Sequence, residues 1–165
     1  MTTYSFTTVW YLDAPIDRVW NVIQDSKNWP SWWKHVKKVE ELAPGDANGI
    51  GSMQHHEWST ALPYRLVFDI RTTKVEPPHT LEAESKGELE GTGRWSLSQD
   101  GPVTVVRYDW NVRTTKAWMN LLAPLARPLF AWNHRVVMEE GGESLARLLG
   151  ARLVKPSVHT INVTV

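Results

Sequence analysis

Three histidines have neighbours that suggest chemistry. His134 lies within the apolar series Phe130, His134, Val137, Met138, Gly141, Leu145 and Leu148, whose spacing marks one buried side of a helix. An imidazole there can act as acid or base toward a molecule in a pocket, because it titrates near neutral pH. It can equally be a core histidine hydrogen-bonded to a strand. Asn133, beside it, can present an amide to a ligand carbonyl or make a packing hydrogen bond. His55-His56-Glu57 suggests a metal, but strand alternation puts His55 and Glu57 on one face and His56 and Trp58 on the other. One histidine per face is too few ligands, so no metal site is expected. A metal-free pocket containing His56 and His134 fits better, with His55 in place of His56 if the other face points inward.

Other chemistries lack their residues. The chain has no cysteine, hence no thiolate nucleophile, disulfide or cysteine-ligated metal. It has no Gly-x-Ser-x-Gly elbow. Gly87, Gly91 and Gly93, near Glu88, Glu90 and Arg94, resemble a nucleotide loop only superficially, because the lysine and Ser/Thr of a P-loop are missing. Tight turns and a bulge account for them, and no cofactor is expected. Lysine plus arginine equals aspartate plus glutamate, 18 against 18, and the pI is near 7.0, so there is no overall electrostatic footprint for nucleic acid or an anionic membrane. No apolar run approaches the roughly 18 residues of a membrane span, and Met1–Thr8 does not read as a signal peptide. The expected location is cytoplasmic. The 165 residues suit one domain, and ten of them are tryptophan, an amphipathic ring that fills cores and lines pockets. Trp58, Tyr64, Phe68, Trp95, Tyr108 and Trp110 are the aromatic candidates for a pocket wall, facing Phe130, Asn133, His134 and Met138.

The elements that must position these side chains read in order. Ser5–Leu12 is a strand, rich in β-branched and aromatic residues. Asp13-Ala14-Pro15 opens a helix that ends near Asp25, with Asp13 accepting its orphan amides and Ile16, Val19, Trp20 and Ile23 buried. Asn28–Trp33 is a short helical turn whose tryptophans close the mouth of a pocket. Six strands follow on short turns: Val36–Leu42, Gly51–Ser59, Tyr64–Val75, Thr80–Lys86, Gly91–Ser98 and Val103–Thr114. The last alternates most clearly, Val106, Tyr108, Trp110 and Val112 against Arg107, Asp109, Asn111 and Arg113. Trp118–Leu122 forms a short helical piece. Leu129–Leu149 is the long helix, about 30 Å at about 1.5 Å per residue, with Pro124 and Pro128 before it. Gly141, on its buried stripe, implies close packing against the sheet. A meander of this size needs a cover, and this helix is the one element long enough. Curling the sheet around it leaves a space open at one end.

This order and several local motifs resemble the START/Bet v 1-like (SRPBCC) superfamily, in particular its polyketide cyclase/dehydrase and lipid-transport group. The motifs are Asp13-Ala14-Pro15 with Val19-Trp20, Asp25 with Trp29-Pro30-Ser31-Trp32-Trp33, Gly49-Ile50-Gly51, Leu62-Pro63-Tyr64, Gly87 to Trp95, Ala123-Pro124, Trp132-Asn133-His134 and Met138-Glu139-Glu140-Gly141. The resemblance implies an α+β helix-grip fold over residues 1–151. A curved antiparallel sheet of about seven strands wraps a long C-terminal helix, with two short helices after the first strand. Residues 152–165 lie outside the pattern and are expected to be loosely ordered. The implied function is binding of a hydrophobic, lipid-like, aromatic or polycyclic small molecule between sheet and helix, by a monomer or homodimer. An alternative is a cyclase/dehydratase using His134 or His56 for proton transfer. A second is a protein-interaction module of the co-chaperone type.

Overall fold

A computed structural model describes residues 2–164. Its strands form where β-branched and aromatic residues alternate, and its helices where the apolar spacing lengthens to three and four. β1 (Thr3–Leu12) leads into α1 (Ile16–Gln24) and a 3-10 turn (Ser26–Ser31). Six strands follow: β2 (Val36–Ala43), β3 (Met53–Ser59), β4 (Arg65–Glu76), β5 (Thr80–Gly87), β6 (Leu89–Asp100) and β7 (Val103–Thr114). α2 (Ala117–Leu121), α3 (Ala123–Leu149) and β8 (Val158–Thr164) complete the order. All the strands join one antiparallel sheet, in the order β2-β3-β4-β5-β6-β7-β1-β8. With α3 as the long helix the sheet grips, this is an α+β helix-grip fold.

The structure departs from the sequence reading in several places. The sheet has eight strands because residues 158–164, expected to be loose, pair with β1 from Thr3 opposite Thr164 to Val9 opposite Val158. Residues 160–164 do alternate polar and apolar, and His159, Ile161 and Val163 are half-buried along one face. α3 begins at Ala123, six residues before the expected start, with Pro124 in its first turn and Pro128 inside. Pro124 lacks only an amide that the first turn can do without, whereas Pro128 gives up one i→i−4 bond inside the helix. Leu148 is exposed while Leu149 is buried, so the buried stripe turns by one residue at the helix end. Asp13 does not cap α1. The orphan amide of Ile16 donates instead to Oε1 of Gln99, 2.8 Å away at the end of β6.

The interior has a solid end and a hollow end. At the solid end Trp10, Trp20, Trp33, Val19, Val106 and Leu145 form one continuous cluster. Gly141 belongs here for a reason other than the sheet. A Cβ on it would lie 2.4 Å from the Trp33 indole, and one on Gly142 would lie 2.8 Å from that of Trp10. Both indoles donate to backbone carbonyls of α3, Trp33 to Val137 at 3.1 Å and Trp10 to Met138 at 3.1 Å. Of the tryptophans expected to close a pocket mouth, Trp33 is buried in this solid end, while Trp29, also buried, borders the cavity and donates to the Ile23 carbonyl at 3.1 Å. The hollow end is built by Tyr4, Phe6, Phe68, Trp110, Met119 and Phe130.

Candidate functional site

At the hollow end the sheet and α3 stand apart around a cavity of about 290 Å³. β7 supplies Tyr108, Trp110, Val112 and Thr114, the inward half of its alternation. β6 brings Trp95 opposite Tyr108, and Gly93 opposite Trp110. That glycine is needed for space: a Cβ would lie 2.9 Å from the Trp110 ring and 3.0 Å from the Tyr108 hydroxyl. Over it the rings stack as a continuous wall, with Trp95 and Tyr108 centroids 4.2 Å apart and Tyr108 and Trp110 5.9 Å apart. β3 and β4 add His56, Trp58 and Phe68, and Tyr64 stands just before β4. α3 closes the space with Phe130, Asn133, His134 and Met138. All eleven residues singled out in the sequence thus face one cavity.

The two inward histidines differ in what their nitrogens do. His134 stacks on Phe6 with centroids 4.1 Å apart and planes 12° apart, and it makes no hydrogen bond among the described residues. One side of the ring opens on the cavity, while burial, reinforced by the nearby His159, pushes its pKa down to about 3. His56 is tied at both ends. Its Nδ1 accepts from the Trp58 indole at 3.3 Å, which leaves Nε2–H to meet Oε1 of Gln54 at 3.3 Å. That oxygen also accepts from the Ser26 hydroxyl at 2.6 Å. Burial, with a smaller push from His55, lowers the His56 pKa to about 4. His55 points the other way, 2.7 Å from Asp69 and 3.7 Å from Glu57. No cluster of metal-ligating side chains occurs among the described residues.

Asn133 has a mechanical part. Its Oδ1 accepts from the Ala61 amide at 2.7 Å and so fastens the loop before β4 to α3. Tyr64, at the end of that loop, meets Trp118 edge to face at 5.8 Å. Glu88, Glu90 and Arg94 lie off the wall and serve the scaffold. Glu88 accepts from the Val67 amide at 2.8 Å and pairs with Lys116 at 2.9 Å, while Glu90 pairs with Arg113 and Arg94 with Glu82. Gly91, at φ +152°, lies so close to β7 that a Cβ would sit 1.9 Å from the Asn111 carbonyl oxygen.

Among the described residues no aspartate, glutamate, lysine or arginine lines the cavity. Besides His56, Asn133 and His134, several uncharged polar residues line it. Gln24, Ser26, Ser52, Gln54 and Thr72 gather near the end of α1 and the start of β3. The Tyr4 hydroxyl is buried without a partner among the described residues, and burial raises the pKa of both the Tyr4 and the Tyr108 phenol, so both stay protonated. The sequence reading missed Tyr4 and Phe6, although the alternation of β1 puts them on the face of Trp10. It had no signal for Gln24, Ser26 or Met119, which reach the cavity through tertiary placement alone.

Comparison with known proteins decides the family. The family model described as polyketide cyclase / dehydrase and lipid transport matches residues 3–150. The chain belongs to that family. Its fold is that of the START/Bet v 1-like superfamily. The aromatase/cyclase ZhuI from Streptomyces sp. R1128 superposes with a TM-score of 0.73 at 16% identity, over 90% of this chain and 94% of that one. A START superfamily protein from Mycobacterium smegmatis gives 0.73 at 14% identity, over 89% and 97%. The di-domain ARO/CYC BexL of the BE-7585A biosynthetic pathway gives 0.71 at 19% identity, covering 91% of this chain. This family member spans about half of that protein, 51%. No curated protein matches it in sequence.

Proposed function

We propose that this protein binds an uncharged, largely aromatic small molecule carrying one or a few oxygens. One observation carries the reading: an aromatic-walled cavity without a formal charge, into which the free His134 imidazole and the Tyr108 hydroxyl point. An ionised ligand would lose its hydration there with no counter-charge to replace it, which costs several kcal/mol. A neutral phenol or ketone loses little, and finds a donor in Tyr108 and an acceptor or donor in His134. The volume suits roughly two or three fused rings. The test is intrinsic fluorescence titration with a neutral hydroxylated polycyclic aromatic and with its carboxylate analogue. The neutral compound is expected to bind at least about tenfold more tightly. Tyr108→Phe should weaken it by up to about tenfold, as loss of one hydrogen bond does. Equal affinity for the carboxylate would sink the proposal.

A second reading is favoured by the same free imidazole and by the family's name: cyclisation or dehydration of a flexible carbonyl chain held in the cavity. Orientation of the chain supplies much of such a rate, and His134 supplies the proton relay. Against it stands the pKa of about 3. Protonating that ring at pH 7 costs about 5 kcal/mol, so the unliganded protein holds a hydrogen-bonding imidazole rather than a ready base. His134→Ala, still folded by circular dichroism, should abolish turnover of a β-ketone chain if the ring moves a proton. Unchanged turnover removes it from the mechanism.

A further inference from the structure

The mouth of the cavity differs in chemistry from its aromatic wall. Gln24, Ser26, Asn48, Ser52, Gln54 and Thr72 line it where the end of α1 meets the turn between β2 and β3. Every one is an uncharged hydrogen-bonding side chain, and Gln24 and Asn48 are exposed, so here the cavity meets water. The acids of these turns are engaged elsewhere. Asp46 accepts from the amides of Asn48 and Ile50 at 2.8 and 2.9 Å, and Asp25 accepts from the Asn28 side chain. Among the polar residues themselves, Ser52 donates to Thr72 at 3.1 Å.

One side chain in this set has its orientation fixed by its neighbours. The Trp58 indole can only donate, so its 3.3 Å bond makes His56 Nδ1 an acceptor and puts the ring proton on Nε2. A protonated Nε2 must meet an acceptor, and that acceptor is Gln54 Oε1, 3.3 Å away. The Ser26 hydroxyl donates to the same oxygen at 2.6 Å. Flipping the amide would set N–H against N–H, so the assignment of its two ends follows from the network. The oxygen of Gln54 is thus taken up. Its nitrogen has no protein partner among the described residues and is not sealed in by them. Both N–H donors of a half-buried amide on the cavity wall are therefore left for a ligand.

We propose that Gln54 is a specificity-determining residue, whose amide N–H receives a carbonyl oxygen at the mouth end of an elongated aromatic ligand. This rests on the aromatic-ligand reading above and adds where the ligand's second oxygen lies and what kind it is. A group that only donates selects one that accepts, and a carbonyl does so without the charge that this cavity would penalise. The sheet sets the two polar ends apart. The Tyr108 hydroxyl stands over Gly93, where a Cβ would lie 3.0 Å from it; Gly93 pairs with Ala83, and Ala83 with Thr72. Two strand spacings, about 10 Å, therefore separate the Tyr108 end from the Thr72 side of the mouth. A rigid two-ring body with oxygens at opposite ends suits that span.

The experiment is fluorescence titration of the whole chain with 6-acetyl-2-naphthol and 6-ethyl-2-naphthol, which differ only in the carbonyl oxygen. The quantity read is the ratio of the two affinities, which a merely structural role of Gln54 would not move. Gln54→Met, of similar length and without the amide, should shift that ratio against the acetyl compound by about three- to tenfold. Gln54→Glu keeps oxygens for Ser26 and His56 but offers no N–H. It should shift the ratio at least as far, and it serves where the methionine variant fails to fold. Tyr108→Phe should weaken both naphthols alike and leave the ratio unchanged. A ratio that stays level in the folded Gln54 variants overturns the proposal and leaves the aromatic reading standing, because both compounds still bind. Binding of neither compound to the wild type overturns that reading, and this one with it.

Discussion

At neutral pH both inward imidazoles are uncharged, and that carries a thermodynamic signature. Their pKa values in the fold, about 3 for His134 and about 4 for His56, lie below the ordinary 6.5. Above pH 6.5 neither the folded nor the unfolded chain protonates them, and nothing is lost. Below it the unfolded chain takes up protons that the folded one refuses, so stability falls with pH, by about 1 kcal/mol per unit for each ring. The urea midpoint should therefore drop between pH 7 and pH 5, and His134→Phe should flatten that drop. A midpoint level across the window would show that the rings are not held neutral by burial. The residue types at the site were legible in the sequence because aromatic alternation and a lone histidine in a stripe are local patterns. What each atom does was not. That His56 is tied at both nitrogens, and that Asn133 holds Ala61, depend on partners distant in the chain.

Between elements, glycine decides how closely α3 can lie against the tryptophans. In an exposed helix Gly→Ala stabilises by about 1 kcal/mol. At Gly141 the new Cβ would lie 2.4 Å from the Trp33 indole, whose N–H is held by Val137, so the ring has little freedom to move aside. Gly141→Ala should therefore destabilise by about 1–3 kcal/mol despite better helix propensity, read as a lower urea midpoint with unchanged slope. Improved stability would mean that the helix and indole part easily. The α1 terminus supplies a milder case. Gln99→Ala leaves the Ile16 amide without its acceptor and should cost about 1 kcal/mol, whereas Asp13→Ala should cost less. The sequence revealed a buried glycine and a helix start. It could not reveal that the glycine faces an indole, or that the cap comes from a strand more than eighty residues away.

Across the whole molecule, order and type of elements were readable because each strand carries its own alternation and each turn its own glycine or proline. Strand β8 escaped although it alternates, because nothing local shows that β1 needs a second neighbour. That neighbour matters. Without residues 152–165, β1 would become an edge with its amides and carbonyls unpaired along Thr3–Val9. At the other edge, β2 carries Lys37, Lys38, Glu40 and Glu41, charges that discourage pairing with another chain. The truncated protein should melt several degrees lower and aggregate on heating. A melting temperature within a degree of the full chain would make β8 dispensable.

The ring wall has an optical consequence. Trp29, Trp58 and Trp95 border the cavity, and Trp29 and Trp33 link them to Trp10 through centroid separations between 4.9 and 6.2 Å. Excitation absorbed by any indole in such an array passes to its neighbours faster than it is emitted. The cluster therefore shines, and darkens, as one chromophore. A single acceptor molecule lodged against Trp95 would drain light from tryptophans it never touches, so the protein carries its own occupancy gauge.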